Sequence, residues 1–307
     1  MRLFVLLAFV ALAAPARADL VHEAALAYAR YQNDVTEIIR ADIGSAEALD
    51  AALTRAARHD PAQVARGWIA YGGLAAAQSP AFVRGVRSRV RAAGRAPVIR
   101  QLRRDMTYAR RRPPGSDEAI QLLLASAAAD SARMRAASHR YSGIGESRDM
   151  SASSNGDRSA RDSGLRASVN GERALAPELA ARITIGALEA TPMTDSGALG
   201  GARFWDAVAG RDSPEPANLD WRLARRDIAD RMLTIGGLVI VGAAEEQSER
   251  VADALDEPRT RECLALEQLQ FRQCASVAHD PAEDAHCLAR HGLAGPSQCF
   301  AALAAAP

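Results

Sequence analysis

Residues 20–40, LVHEAALAYARYQNDVTEIIR, place Leu20, Ala24, Ala27, Tyr31, Val35 and Ile38 or Ile39 at intervals of three and four. Those intervals match the turn of an α-helix, so the stretch predicts an amphipathic helix with one apolar face. Downstream, Asp42-Ile43-Gly44-Ser45 breaks the pattern. Ser45, Ala48, Leu49, Ala52 and Leu53 then open a second helix. His59-Asp60-Pro61 reads as a turn, with Asp60 as N-cap and Pro61 at the first helical position. Val64, Trp68, Tyr71 and Ala75 mark a third helix, which ends near Gln78-Ser79-Pro80. Short helices joined by tight turns predict an all-α chain, either a helical bundle or an array of helical hairpins. No repeat of 30–45 residues is visible.

Upstream of this helix, Arg2 supplies a positive start, Leu3 to Ala14 an apolar core, and Ala16-Arg17-Ala18 small residues at the two positions a signal peptidase reads. The segment 1–18 is expected to be a signal peptide cleaved after Ala18, because its core is too short for a membrane span. A periplasmic or secreted location follows as the expectation. It also implies an oxidising setting for the four cysteines.

Composition supports the helical reading. Aromatic residues make up only 5% of the chain, so the helices are expected to pack thinly through Ala and Leu, which enter helices at little cost. Lys is absent and all 38 basic residues are Arg, as in proteins of GC-rich genomes. A phosphate-loop Lys, a Schiff-base Lys and a Ser-x-x-Lys nucleophile are therefore excluded.

The net charge of +1 hides a segregation. Between Arg84 and Arg112 there are eleven Arg residues and one acid, Asp105. Ile99, Leu102, Met106 and Ala109 fit one face of a basic amphipathic helix, with Arg100, Arg103, Arg104 and Arg111 on its other faces. These four arginines are the candidate anion-binding residues. Their partner is expected to be an envelope protein or an anionic envelope surface. Nucleic acid is disfavoured, since Tyr108 alone is interleaved as a stacking aromatic. The competing expectation is internal pairing of this belt with Glu245, Glu246, Glu249, Asp253 and Asp256.

Pro113-Pro114-Gly115 closes the belt, and a helix is expected from about Ser116 to Tyr141. From Glu146 to Arg173, Ser, Gly, Asn, Asp and Arg dominate without apolar period, which predicts a linker or long loop. The expected organisation is an N-terminal helical domain over 19–145, the linker over 146–173 and a C-terminal helical domain over 174–307. Within the latter, Pro177–Leu188 is expected to be helical, and Pro192–Pro216 irregular with Phe204 and Trp205 docking it. Leu219–Leu255 is expected as one long helical stretch, crossing a neighbour closely at Gly236-Gly237. Its apolar run Met232–Val241 is too short to span a membrane, so no span is expected after the signal.

Cys263, Cys274, Cys287 and Cys299 all fall in the final unit, 259–303. Cys274 lies eleven positions after Cys263, about three helical turns, so Cys263 and Cys274 share a helix face. The turn at Asp280-Pro281 starts a return helix over Ala282–His291, with Gly292, Gly295 and Pro296 interrupting the way to Cys299. Of three possible connectivities, the nested pairs Cys274–Cys287 and Cys263–Cys299 fit such a hairpin. The alternative is a zinc site from Cys274, His279, Cys287 and His291, whose spacings lack a Cys-x-x-Cys signature. The spacing superficially resembles the coiled-coil-helix proteins. Their twin motifs have nine intervening residues, against ten and eleven here, and their function is not carried over.

Catalytic patterns are sparse. Gly-x-Ser-x-Gly is absent, and His22-Glu23 is not followed by a second His at zincin spacing. His59, His139 and His279 read as turn or surface histidines. Glu146-Ser147 resembles the acid of lytic transglycosylases, but a Ser/Gly-rich segment follows where that family continues Gly-Leu-Met-Gln. The resemblance implies a cell-wall-acting enzyme as the alternative function. The stretch from Ala57 to Arg84, with Trp68, Tyr71, Pro80 and Phe82, together with the cysteine unit, resembles uncharacterised exported helical proteins of GC-rich bacteria. That resemblance implies export and a helical fold, and no activity. The chain is therefore expected to be a non-enzymatic exported envelope protein, without cofactor or metal, acting as an interaction or structural module.

Overall fold

A computed structural model describes residues 20–41, 45–146, 222 and 224–304 of the chain, and every regular element among them is helical. α1 (Leu20–Arg40), α2 (Ala46–Ala57) and α3 (Pro61–Gln78) follow the predicted boundaries. Their caps explain why. Ser45 Oγ accepts from the Ala48 amide, and the Asp60 carboxylate accepts from Ala62 and Gln63. These side chains satisfy amides that a helix start leaves without a partner.

α3 is the axis of the molecule. Every residue from Gly67 to Ala76 is buried, as befits a helix that is apolar all round. α1 packs along one side of α3 and α8 (Arg226–Ile240) along another. Gly67 permits the first approach, because a Cβ there would stand 2.6 Å from the Ala24 carbonyl oxygen and the Tyr28 amide.

The Arg-rich region folds as three helices, α4 (Pro80–Ala93), α5 (Arg95–Arg104) and α6 (Tyr108–Arg111). The single basic helix expected over Ile99 to Arg111 is therefore corrected. Asp105 takes an extended conformation, and its carboxylate accepts from the Thr107 amide at 2.9 Å and the Thr107 hydroxyl at 2.7 Å. Such a local side-chain bond competes with the helical one and ends α5. α7 (Ser116–Glu146) then runs past the expected end at Tyr141.

The expected linker 146–173 lies outside the described residues except for Glu146, whose side chain is not described. The segments Pro177–Leu188 and Pro192–Pro216, with Phe204 and Trp205, also lie outside them, as does the expected signal peptide over 1–18. Helices before and after this interval share one hydrophobic core, with Trp68, Leu74 and Leu124 in the same cluster as Met232, Ile235 and Phe300. The described part of the long stretch expected over Leu219–Leu255 holds two helices, α8 and α9 (Ser248–Leu255), separated by turns over 241–247. Among the described residues no helix is long and apolar enough to cross a membrane.

The C-terminal unit is a helical hairpin stapled twice. α10 (Pro258–Val277) leads outward, and Asp280 caps the return helix α11 (Pro281–Cys287). Cys263 is bonded to Cys299 and Cys274 to Cys287, the nested pairing, with Cα separations of 5.8 and 5.5 Å. The zinc alternative loses two ligands to the inner bridge. The return leg departs from expectation at its end. A π-helical turn over Leu288–Ala294 joins α11 to α12 (Gly295–Ala301), so Gly292, Gly295 and Pro296 do not interrupt it. Gly295 donates to the Arg290 carbonyl five residues back, and Pro296 sits in the first turn of α12, where no amide is required. Phe300 anchors the leg among Tyr28, Tyr31 and Trp68, with ring centroids 5.4 to 5.8 Å away.

Candidate functional site

The first candidate is the arginine face. α4 turns Phe82, Gly85 and Val86 inward, which leaves Arg84, Arg87 and Arg91 exposed. α5 buries Val98, Ile99 and Leu102 and exposes Arg100, Arg103 and Arg104. Arg111 is exposed at the end of α6. The same 3.6-residue period that buries the apolar residues thus presents the cations.

Two belt arginines are committed inside the protein. Arg95 donates to the Val241 and Gly242 carbonyls at 3.0 and 2.8 Å and pairs with Glu246 at 3.0 Å. Arg110 holds buried Asp230 at 2.6 Å. Burial pushes the Asp230 carboxyl above its usual range, against the opposing pull of Arg110. The pairing expected between belt and acidic helices is thus met at Arg95–Glu246. Asp253 instead pairs with Arg250 of its own helix, and Asp256 with Arg261. Arg103 borders a polar groove with Glu246, Glu249 and Asp253. Arg111 stands near Asp105, whose carboxyl is held below its usual range mainly by the Thr107 hydroxyl, with Arg111 and Arg250 assisting.

The second candidate centres on His59, which the sequence reads as a turn or surface histidine. His59 occupies the predicted turn but is 3% exposed. Its Nε2 lies 2.6 Å from Asp34 Oδ2, and Arg58 grips the same carboxylate through Nε at 2.6 Å and through its Nη2. A carboxylate only accepts, so Nε2 carries the proton, and in the neutral ring Nδ1 is an acceptor. Nδ1 is buried without a hydrogen-bond partner, and so is the Tyr31 hydroxyl. Burial raises the Tyr31 pKa above its ordinary value, which keeps the hydroxyl a donor.

Tyr31 and His59 meet edge to face, with ring centroids 5.3 Å apart. Both line a cleft between the start of α3 and the stapled hairpin. Its apolar wall comes from Ala56, Val64, Leu264 and Phe271. Gln268 and His291 complete the polar side. His291 Nδ1 stands 3.2 Å from Glu267 Oε2, so a carboxylate holds this imidazole too. The π turn carries His291 and Gly292 to the cleft. His139 and His279 are exposed, as the sequence predicts.

A buried polar layer between α1 and α7 supports this corner. Tyr28 donates to Asp130 at 2.8 Å, Gln32 donates to Tyr28 at 2.8 Å, and Arg133 donates to Thr36 at 3.0 Å. Burial and the neighbouring Asp130 hold the Tyr28 phenol protonated far above its usual range. Among the described residues, no Asp or Glu lines the cleft itself. The groove beside Arg103 does hold carboxylates, but Glu246 and Asp253 are more than half exposed there. Comparison with known protein families, curated proteins and solved structures returns no match.

Proposed function

We propose that the protein is exported to the periplasm or beyond the cell, after cleavage at Ala18, and works there without catalysis as an interaction module. Its arginine face docks on an anionic envelope surface or an acidic envelope protein. The observation that carries this reading is the exposure of Arg100, Arg103, Arg104 and Arg111 without a hydrogen bond or ion pair to any described residue. Guanidinium groups in that state keep their planar donor forks for phosphate or carboxylate. Two disulfides agree with an oxidising compartment.

The enzyme alternative needs a shielded carboxylic acid. The carboxylates beside Arg103 are exposed, so that groove supplies none, and the docking reading is preferred. Co-sedimentation with anionic vesicles and with purified cell-wall polymer tests it. Binding should fall as salt rises, because the Debye length shrinks to about 8 Å at physiological ionic strength. Replacing Arg100, Arg103, Arg104 and Arg111 together with Gln should abolish it. Binding that is insensitive both to salt and to this variant sinks the proposal.

A further inference from the structure

Taking the docking reading above as the premise, we infer that the anionic partner is the phosphate layer of an acidic lipid membrane, and that α4 rests on it through Arg84, Arg87 and Arg91. A second helix thereby joins the docking surface, and one partner is named for it.

The spacing of α4 sets the face. Arg84, Arg87 and Arg91 stand three and four residues apart, so they share one side of the helix, the outer two about 10 Å apart along its axis. All three are exposed, as is Ser88 between them, and none has a hydrogen bond or ion pair to a described residue. The opposite side carries Phe82, Gly85 and Val86, all buried. A Cβ on Gly85 would overlap the Pro114 carbonyl oxygen, so α4 is seated there backbone against backbone with its arginines outward. α4 touches α5, and both pack on α8, so the exposed Arg100 and Arg104 extend the charge beside it.

The makeup of this surface selects lipid over protein. Neither α4 nor α5 contains an Asp or Glu. Arg103, by contrast, borders Glu246, Glu249 and Asp253, which offset part of its charge. Protein partners are gripped mainly by aromatic and apolar anchors in a dry centre. Apart from arginine, the exposed residues of α4 and α5 are Pro80, Ser88, Ala92, Ala93, Ala96 and Gln101, none of them such an anchor. The large apolar side chains exposed among the described residues, Leu266, Leu269 and Val277, all lie on α10. A headgroup layer needs no anchor. Its surface potential favours each nearby arginine about fivefold, and guanidinium forks match its phosphates. Phe82 and Val86 already belong to the protein's own core, so α4 has no apolar side left to insert, and the contact is electrostatic and superficial.

The oxidised protein is mixed with vesicles of phosphatidylglycerol and phosphatidylcholine, with vesicles of phosphatidylcholine alone, and with polyglutamate, a carboxylate chain without lipid. The neutral vesicles control for the apolar residues 3–14. Association should need phosphatidylglycerol, exceed that with polyglutamate and fade as salt rises. Arg84→Gln, Arg87→Gln and Arg91→Gln together should weaken it about 10- to 100-fold. The same three positions changed to Lys should keep it within about threefold, because a membrane field acts on charge rather than on fork geometry. All three side chains are exposed, so both variants should keep the parent's circular dichroism. Full binding by the Gln variant, with loss only when Arg100, Arg103, Arg104 and Arg111 are changed, overturns the role of α4 and leaves the docking reading standing. Tighter binding to polyglutamate than to vesicles overturns lipid as the partner in favour of an acidic protein. Equal binding to both kinds of vesicle overturns it as well, since charge would then select nothing. Loss in the Lys variant overturns it in favour of a shaped anion pocket. Binding to none of the three probes overturns the lipid partner, and if cell-wall polymer is not bound either, the docking reading falls with it.

Discussion

A Cβ on Gly236 would stand 2.9 Å from the carbonyl oxygen of Gly73, closer than side-chain carbons approach backbone oxygens. The contact is reciprocal, since a Cβ on Gly73 would meet the Ile235 side chain at 2.5 Å. The α3–α8 crossing is therefore backbone against backbone, and it joins a helix before the undescribed interval to one after it. Gly236→Ala should destabilise the protein by about 1–3 kcal/mol, because the overpacking cost exceeds the gain in helix propensity of about 1 kcal/mol. Gly143→Ala is the control. No described residue lies within 4 Å of its added carbon, and the helix should gain about 0.5–1 kcal/mol. Urea denaturation of the two variants should give opposite signs.

The two staples should differ in worth. Cys263–Cys299 closes 36 residues and Cys274–Cys287 closes 13. On the chain-entropy account each contributes about 2–4 kcal/mol, and the longer loop about 0.9 kcal/mol more. Replacing both cysteines of a pair with Ala and measuring unfolding should rank the outer bridge first. The reverse order would show that native-state packing at the inner bridge outweighs loop length.

Asp34 is the hinge of the buried charge cluster. It accepts from both Arg58 and His59 and is itself 3% exposed. Asp34→Ala would leave the Arg58 guanidinium buried without its counter-charge, which costs about 3–5 kcal/mol. Arg58→Met, which removes the cation and keeps much of the packing, should restore part of that loss in the double variant. Thermal unfolding of the two single variants and the double variant measures the coupling. Additive losses would show that the two residues act independently.

Much of this architecture is legible in the sequence because it rests on local rules. Ser45, Asp60 and Asp280 are caps whose chemistry needs only neighbouring amides. Gly236-Gly237 within an apolar run marks a close crossing, and the cysteine spacing with the Asp280-Pro281 turn implies the nested pairing. The cleft is not legible, because it depends on partners far apart in the chain. Gln268 donates to the Ala57 carbonyl at 3.1 Å across 211 residues. Gln32, Asp34 and Thr36 lie in a stretch that reads as the polar side of a surface helix, yet all three are buried against α2, α3 or α7. A clue is present in Tyr28, Gln32 and Thr36, which recur every fourth position, but periodicity does not reveal that Asp130 and Arg133 await them. The break at Asp105 is hidden in the sequence because apolar spacing continues through it, while the Thr107 bond that makes it is a competition between two hydrogen bonds.

Acid should expose the Asp105 turn. Its carboxyl is held below the ordinary value of 3.8, chiefly by the Thr107 hydroxyl. A carboxyl lowered in the folded state contributes stability that is present above 3.8 and lost as pH falls through its folded value. Asp105→Asn removes that contribution. The difference in melting temperature between pH 6 and pH 3 should therefore be smaller in the variant than in the parent. Asp230 works in the opposite sense, because its raised carboxyl favours the protonated folded state. Its contribution declines as pH rises from 3.8 through the folded value. An unchanged acid limb in Asp105→Asn would show that the Thr107 bonds are equally strong to the neutral side chain.

The two kinds of belt arginine should separate in one comparison. Arg95 is tied to the turn after α8 by two carbonyl bonds and to Glu246 by an ion pair. Half exposed, it should owe its worth mainly to the carbonyl bonds, because exposed ion pairs contribute little. Arg95→Gln is expected to cost about 1–2 kcal/mol, since two carbonyls lose a charged donor. Arg100, Arg103, Arg104 and Arg111 form no such bonds among the described residues. Changing them together to Gln should leave stability within about 0.5 kcal/mol per site, because Gln is also a good helix former. Circular dichroism melts therefore test where the belt spends its charge. If the fourfold variant melts well below Arg95→Gln, the exposed arginines serve the protein's own acidic helices. If it melts with the parent while losing anionic co-sedimentation, these residues are held outward for a partner.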